Sequence, residues 1–238
     1  MISVCIATYN GEKYIKDQLV SILHQLRDED EVIISDDFSI DNTLEVIKSF
    51  NDARIKVFMN TKEKGFTRNF ENALEKAQGD IIFLSDQDDI WMPNKVNVCV
   101  IALKNSDFIV HDGHMVNKNI DILNESIFKF RNVKNGFLKN FVKIRYLGCC
   151  MAFNKNILNK SLPFPDNQIL TTHDSWLTLV SELYFNVNLI YQPLIKYRRH
   201  GGNVSLGGAK GSNSLITKAL IRVYSLFHLI KIYFRRAT

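Results

Sequence analysis

Short apolar runs alternate with longer amphipathic segments along the first 85 residues of the chain. Ile2–Ala7, Glu31–Ser35, Ile55–Phe58 and Ile81–Leu84 read as strands. Between the first two, Tyr14–Leu26 carries Ile15, Leu19, Ile22, Leu23 and Leu26 at helical spacing, which predicts one buried face. Thr43–Phe50 and Thr67–Ala77 follow as helices, the second closed by Gly79. This alternation predicts βαβ units and an α/β fold around a parallel sheet, with ligands bound beyond the carboxyl ends of the strands. Polar clusters fall at three of those ends: Thr8-Tyr9-Asn10-Gly11, Asp36-Asp37 and Asp86-Gln87-Asp88-Asp89.

The second half is less regular. Phe108–Val116 and Gly148–Phe153 read as strands with a mixed stretch between them, Asp174–Phe185 as a helix and Leu189–Tyr197 as extended chain. Residues 201–214 hold five glycines and few apolar anchors, so a flexible linker is expected at 206–214. Residues 215–236 then form an amphipathic helix. Ile216, Ala219, Val223, Phe227, Ile230 and Phe234 share one side, with Lys218, Arg222, Arg235 and Arg236 mostly opposite. A cationic helix of this kind lies on an anionic membrane surface, or packs on its own domain or on a dimer partner. No stretch approaches the ~18 uncharged apolar residues of a spanning helix.

Charge sharpens this division. The net +5 is unevenly spread: residues 1–182 carry 21 Lys and Arg against 25 Asp and Glu, and residues 183–238 carry nine with no carboxylate. An acidic body with a basic tail argues against nucleic acid as a partner. With 46% hydrophobic and 23% charged residues, disorder and low complexity are excluded. The amino terminus reads as a buried strand, not a signal peptide. Cys5, Cys99, Cys149 and Cys150 lack zinc spacing and read as reduced core thiols of a cytoplasmic protein.

The acidic cluster after the fourth strand carries the chemistry. Three carboxylates within four residues repel one another unless a cation compensates, and hard oxygen ligands suit Mg²⁺ or Mn²⁺ bridging to a nucleotide's phosphates. An aspartyl-nucleophile phosphatase also places Asp-x-Asp after a strand, though usually after the first.

Three segments in order, Val4-Cys5-Ile6-Ala7-Thr8-Tyr9-Asn10, Ser35-Asp36-Asp37-Phe38-Ser39-Ile40-Asp41-Asn42-Thr43 and Phe83-Leu84-Ser85-Asp86-Gln87-Asp88-Asp89-Ile90-Trp91, resemble the family 2 glycosyltransferases. The nearest likeness is to bacterial rhamnosyltransferase-like members that assemble surface polysaccharides. The resemblance implies a GT-A nucleotide-diphospho-sugar transferase fold over residues 1–205, a mostly parallel mixed sheet flanked by helices. Residues 1–110 then form the nucleotide-binding half and 111–205 the acceptor-binding half.

Roles follow from the resemblance residue by residue. Thr8, Tyr9, Asn10 and Glu12 belong to the loop that cradles the donor, with Tyr9 able to stack on a base. Asp36 accepts from a pyrimidine N–H and Asp37 supports the same turn. Gly65, Arg68 and Asn69 face the donor, and Asp86 with Gln87 adjoins its ribose. Asp88 ligates the metal, Mn²⁺ or Mg²⁺, and His200, from Tyr197-Arg198-Arg199-His200, is a ligand of the metal or of the diphosphate. Asp174, in His173-Asp174-Ser175-Trp176, is the general base, or a helix N-cap; Asp89, Arg198 and Trp176 are accessory.

The implied reaction is inverting transfer from a UDP- or dTDP-sugar to a saccharide acceptor, free or lipid-linked, at the inner face of the cell membrane. A nucleotidyl- or phosphoryl-transfer enzyme using the same acidic cluster, and a membrane-bound scaffold without turnover, remain the competing readings. The single glycine and the acid in Thr8-Tyr9-Asn10-Gly11-Glu12 argue against the first, because phosphate loops are glycine-rich.

Overall fold

The computed structural model describes residues 1–200 and 214–234. All but Ser214 of the expected linker, together with Arg235 and Arg236, lies outside the described residues.

The strands are β1 (Ile2–Thr8), β2 (Glu31–Asp36), β3 (Ile55–Met59), β4 (Ile81–Ser85), β5 (Ile90–Trp91), β6 (Phe108–Val116), β7 (Ile122–Asn124), β8 (Met151–Asn154) and β9 (Val187–Arg198). The helices are α1 (Ile15–Leu23), α2 (Thr43–Lys48), α3 (Phe66–Lys76), α4 (Lys95–Ala102), α5 (Ile127–Arg131), α6 (Phe137–Val142), α7 (Lys155–Ser161), α8 (His173–Tyr184) and α9 (Leu215–Phe234). The strands form one sheet in the order β3-β2-β1-β4-β8-β6-β9-β5, with β7 paired to β6.

The first four strands are parallel, as their β-α alternation requires. β1, β2 and β4 are buried along nearly their whole length, and β3, at the edge, has mostly half-buried or exposed positions. In α1, Ile15, Leu19, Ile22 and Leu23 are buried, as the periodicity requires. The second half reverses direction: β8 runs antiparallel to both β4 and β6, and β9 returns parallel to β6. The expected strand at Gly148–Phe153 begins only at Met151, because Gly148–Cys150 forms a 3₁₀ turn.

One connection matters most for the site. β5 leaves the acidic loop after β4 and pairs antiparallel with the far end of β9, Ile90 opposite Lys196. The loop therefore bridges the two halves of the sheet and comes to face the residues that follow β9.

α9 docks on the domain, as one of the two sequence readings allowed. Ser225, Leu229 and Ile232 are its buried residues, and the Tyr184 hydroxyl donates to the Leu229 carbonyl at 2.7 Å. The apolar side of Ile216, Val223, Phe227 and Phe234 points outward.

Candidate active site

The loops after β1, β2 and β3 are braced to one another by side chains the sequence assigned to the donor. Asp36 is fully buried; its carboxylate accepts from the Thr8 hydroxyl at 2.8 Å and from the Ser39 amide and hydroxyl, each at 2.7 Å. Asp37 accepts from Asn60 Nδ2 at 2.8 Å and from the Gly65 amide at 2.9 Å. Asn10 accepts from the Ile40 amide and its own amide donates to Ser39, both at 2.9 Å. Glu12 accepts from the amide and side chain of Asn42 at 3.0 Å. A charged or amide side chain buried here must be paired, and these pairings hold the strand ends as one rim.

Two glycines permit that rim. Gly65 has φ of 125°, a conformation that disfavours a side chain, and starts α3. At Gly11 a β-carbon would collide with the Gln87 carboxamide. Gln87 needs that space: it accepts from the Tyr9 amide at 2.9 Å and donates back to the Tyr9 carbonyl at 3.0 Å, tying the acidic loop to the β1 loop. The Tyr9 ring itself is exposed and available to a planar group.

Arg68 and Asn69 lie on the buried face of α3. Arg68 pairs with Glu71 at 2.5 Å and donates to the backbone carbonyls of Pro165 and Asp166, clamping the loop before α8. Asn69 donates to the Thr8 carbonyl at 3.0 Å, while its own buried carbonyl oxygen has no protein partner.

The acidic loop faces the end of β9. Asp88 Oδ2 lies 2.7 Å from His200 Nε2, two ligand-type atoms of the sort a divalent cation takes. The His200 ring stacks on Tyr14 at 4.6 Å, and the Arg198 guanidinium lies 4.7 Å from the same tyrosine ring. Arg198 donates from its backbone to Asp89 at 2.9 Å, from Nε to the Asp88 carbonyl at 2.8 Å, and from its head to the Lys118 carbonyl at 3.0 Å. It therefore holds the loop in shape.

All three loop carboxyls are held above the usual carboxylate range. Asp86 is pushed up to about 7, by the protein crowded around it first and then by the charges of Asp88 and Asp174. Burial also raises Asp88, against the pull of His200, and raises Asp89 strongly with Asp88 and Asp86 adding to it. The second oxygen of Asp89 is buried without a hydrogen-bond partner. Asp86, Asp89 and the Cys149 sulfur also converge, with ligand atoms within 4.8 Å of one another. Three neighbouring carboxyls held up by burial, despite Arg198 and Lys95 nearby, fit a divalent cation. The Asp88–His200 pair is the better holder, because Asp89 already accepts from Arg198, and the hydrogen bond with Cys150 together with burial keeps Cys149 a thiol.

Asp174 stands in the first turn of α8. Thr172 is the N-cap, accepting from the Ser175 amide, so the capping role considered for Asp174 falls to its neighbour. One Asp174 oxygen accepts from the Ser175 amide at 2.7 Å and from the Thr172 hydroxyl, which fixes the carboxylate near Asp86. Trp176 lies in the core with its indole N–H on the Ser161 carbonyl at 2.9 Å, and the fold does not bring it into the cleft.

Two contributors escaped the sequence reading. Tyr14 carries no motif and is identified only by its stack with His200 and Arg198. Lys95 is fully buried, donates to the Cys149 carbonyl at 2.9 Å and sits 4.1 Å from the centre of the Trp91 ring. Its signal was legible: a lone cation at the head of α4, followed by the mostly apolar Val96–Ala102, shortly after the acidic loop.

A mixed sheet whose parallel half ends in a braced rim, crossed by a carboxylate loop facing a histidine, agrees with the GT-A fold that the sequence resemblance implies, and the family match makes the chain a glycosyltransferase. The chain belongs to glycosyl transferase family 2, whose model matches residues 3–162. It is 28% identical, over 98% of its own length and 93% of the relative's, to UDP-Glc:alpha-D-GlcNAc-diphosphoundecaprenol beta-1,3-glucosyltransferase WfgD of Escherichia coli. The fold resembles that of S. aureus TarS 1-349 in complex with UDP-GlcNAc, with a TM-score of 0.73 at 20% identity, over 97% of this chain and 70% of that one. It also resembles a Pyrobaculum calidifontis mannosyltransferase in complex with GDP-Man and Mn²⁺, with a TM-score of 0.63 at 19% identity, over 97% and 64% of the two chains.

Proposed function

We propose that the chain is an inverting, divalent-metal-dependent glycosyltransferase that moves a sugar from a UDP- or dTDP-sugar to a lipid-linked saccharide. Its place is bacterial surface-polysaccharide assembly at the inner face of the cell membrane. The observation that carries this reading is the convergence of Asp88, His200 and Asp86 with Asp174 at the carboxyl ends of the parallel strands. The E. coli relative, whose name specifies a UDP-glucose donor and a diphosphoundecaprenol-borne acceptor, supports the choice of partners.

On this reading Tyr9 packs against the nucleotide base, and the braced rim of Thr8, Asn10, Asp36 and Asp37 gives the base pocket its shape. Asp88 and His200 would hold Mn²⁺ or Mg²⁺, which when bound offsets the charge of the donor diphosphate. Asp174 takes the proton of the acceptor hydroxyl as that oxygen attacks the anomeric carbon. The sugar–phosphate bond breaks on the opposite face, and the nucleoside diphosphate leaves with the bonding pair. One base suffices for a single displacement, so no second carboxylate has to form a glycosyl intermediate.

Melting curves with UDP-, dTDP- and GDP-sugars test the assignment. A uridine or thymidine donor raises the melting temperature when Mn²⁺ is present, and the gain disappears with EDTA. A gain that persists in chelator overturns the metal role. Because Asp86 is held at about 7 in the metal-free protein, a cation entering beside it displaces a proton. Apparent Mn²⁺ affinity by calorimetry therefore falls between about pH 8 and about pH 6, by up to ~10-fold per pH unit below the shifted value.

A further inference from the structure

Two stretches of the chain are basic and free of carboxylates. One is the tail after Glu182; the other is residues 126–165, with eight Lys and Arg and no Asp or Glu. The fold brings them together on α8. α6 reaches α8 through Asn140, which donates to Glu182 at 3.1 Å, and α9 reaches it through Tyr184 and Leu229. The Arg222 guanidinium of α9 also donates to the Val142 carbonyl of α6, so the two helices touch directly.

Both helices turn apolar side chains outward. On α9, Ile216, Val223, Phe227 and Phe234 are 74%, 68%, 61% and 76% exposed, along one side of all five turns of the helix. On α6, Leu138 and Val142 are 74% and 63% exposed. They border a shallow depression of about 340 Å³ walled by Lys134, Lys139 and Arg145. Exposed Lys143 and, on α9, exposed Lys231, about 60° around the helix from the stripe, add to this cationic border. A soluble surface rarely leaves so long an apolar stripe uncovered.

We propose that α6 and α9 together form one face that binds an anionic phospholipid bilayer, the apolar stripe entering the acyl boundary and the lysines meeting the headgroup phosphates. Charge decides for lipid over a second copy of this chain. A two-fold pairing would set the basic borders against each other, whereas an anionic leaflet neutralises them. The absence of carboxylates from the stretches of sequence that carry both helices fits the same partner.

The placement bears on turnover. α8 carries Asp174 in its first turn and α9 packs along it, His228 edge-on to Trp176 at 6.3 Å and the Leu229 carbonyl on the Tyr184 hydroxyl. A bilayer on this face therefore lies within one helix length, ~18 Å, of the base. The proposal deepens the function proposed above and rests on it for a lipid-borne acceptor.

Vesicle flotation of the full chain tests it, with phosphatidylglycerol-containing vesicles against pure phosphatidylcholine at low salt. Wild-type protein floats with the anionic vesicles and far less with the neutral ones. Lys139→Glu with Lys143→Glu lowers partitioning on the order of a hundredfold, and Val223→Ser with Phe227→Ser lowers it at least ~10-fold. All four side chains are exposed, so both variants keep the wild-type melting temperature and the donor-induced shift with Mn²⁺. Flotation lost in the tail variant alone overturns the composite face. A dimer in sedimentation that Val223→Ser with Phe227→Ser dissociates, without any flotation, assigns the stripe to a second copy and overturns the proposal. Lost flotation with intact donor binding refutes the membrane face alone; intact flotation without donor binding refutes the enzymatic reading alone.

Discussion

Asp174→Asn lowers kcat by ~10³-fold or more while the donor KM and the donor-induced melting shift stay within about twofold of wild type. The argument is local. One Asp174 oxygen accepts from the Ser175 amide in the first turn of α8, and an asparagine oxygen can accept the same bond. Thr172 remains the cap, so the helix start survives the change. What disappears is a basic oxygen beside Asp86, and with it the means of removing the acceptor proton. Loss of donor affinity in proportion to turnover would falsify the base assignment, because it would make Asp174 part of the binding site. The variant also isolates a second effect. Asp174's charge helps hold Asp86 above the ordinary carboxylate range, so its removal lets Asp86 ionise at lower pH.

The parallel half of the fold was legible because β1, β2 and β4 are largely apolar runs and α1 keeps a clean helical period. Ile15, Leu19, Ile22, Leu23 and Leu26 are all buried. The second half was not, for a physical reason. β5 has two residues and β7 three, lengths at which no alternation can register, and α5 and α6 have five and six. Gly148–Cys150 looked like strand because it is apolar and buried, but burial there reflects close packing of Gly148 against His173, not pairing.

The site divides along the same line. Motif positions after β1, β2 and β4 do meet, since strand ends of a parallel sheet converge by construction. Their individual roles were less legible. Glu12, Asp36, Asp37 and Arg68 use polar atoms to brace loops, a task that spacing alone does not distinguish from gripping a ligand. The tail's apolar stripe was legible but the face that packs on the domain was not, because periodicity identifies a stripe without saying which face the domain covers. α9 buries Ser225 and leaves Phe227 in the open. Net charge hid the other half of that surface. Residues 1–125 carry 22 acidic against 13 basic residues, and this excess masked the carboxylate-free stretch that follows.

Lys95→Met destabilises the metal-free protein by ~3 kcal/mol near neutral pH, a fall in Tm of about 10 °C. The lysine is a fully buried cation beside the acidic loop: burial disfavours its charge and lowers its pKa, the neighbouring thiols and Asp89 oppose that, and its charge in turn pulls down the carboxyl of Asp86. Methionine keeps most of the volume and the contact with Trp91. It forfeits the bond to the Cys149 carbonyl and leaves Asp86 and Asp89 without their internal counter-charge. The pH dependence separates this from a packing defect. Asp86 has a folded-state value of about 7 against 3.8 for the free side chain, so its contribution to stability is present in acid and is lost as pH rises through 7. Without Lys95 the cost of ionising that carboxyl in the fold increases. The deficit of the variant relative to wild type is therefore smallest at about pH 5 and grows toward about pH 8. Saturating Mn²⁺ narrows it, since a cation held by Asp88 and His200 supplies the missing positive charge from the cleft side. Chemical denaturation across that pH range, with and without metal, measures both trends, and a deficit constant in pH and indifferent to Mn²⁺ would reduce Lys95 to a space-filling residue.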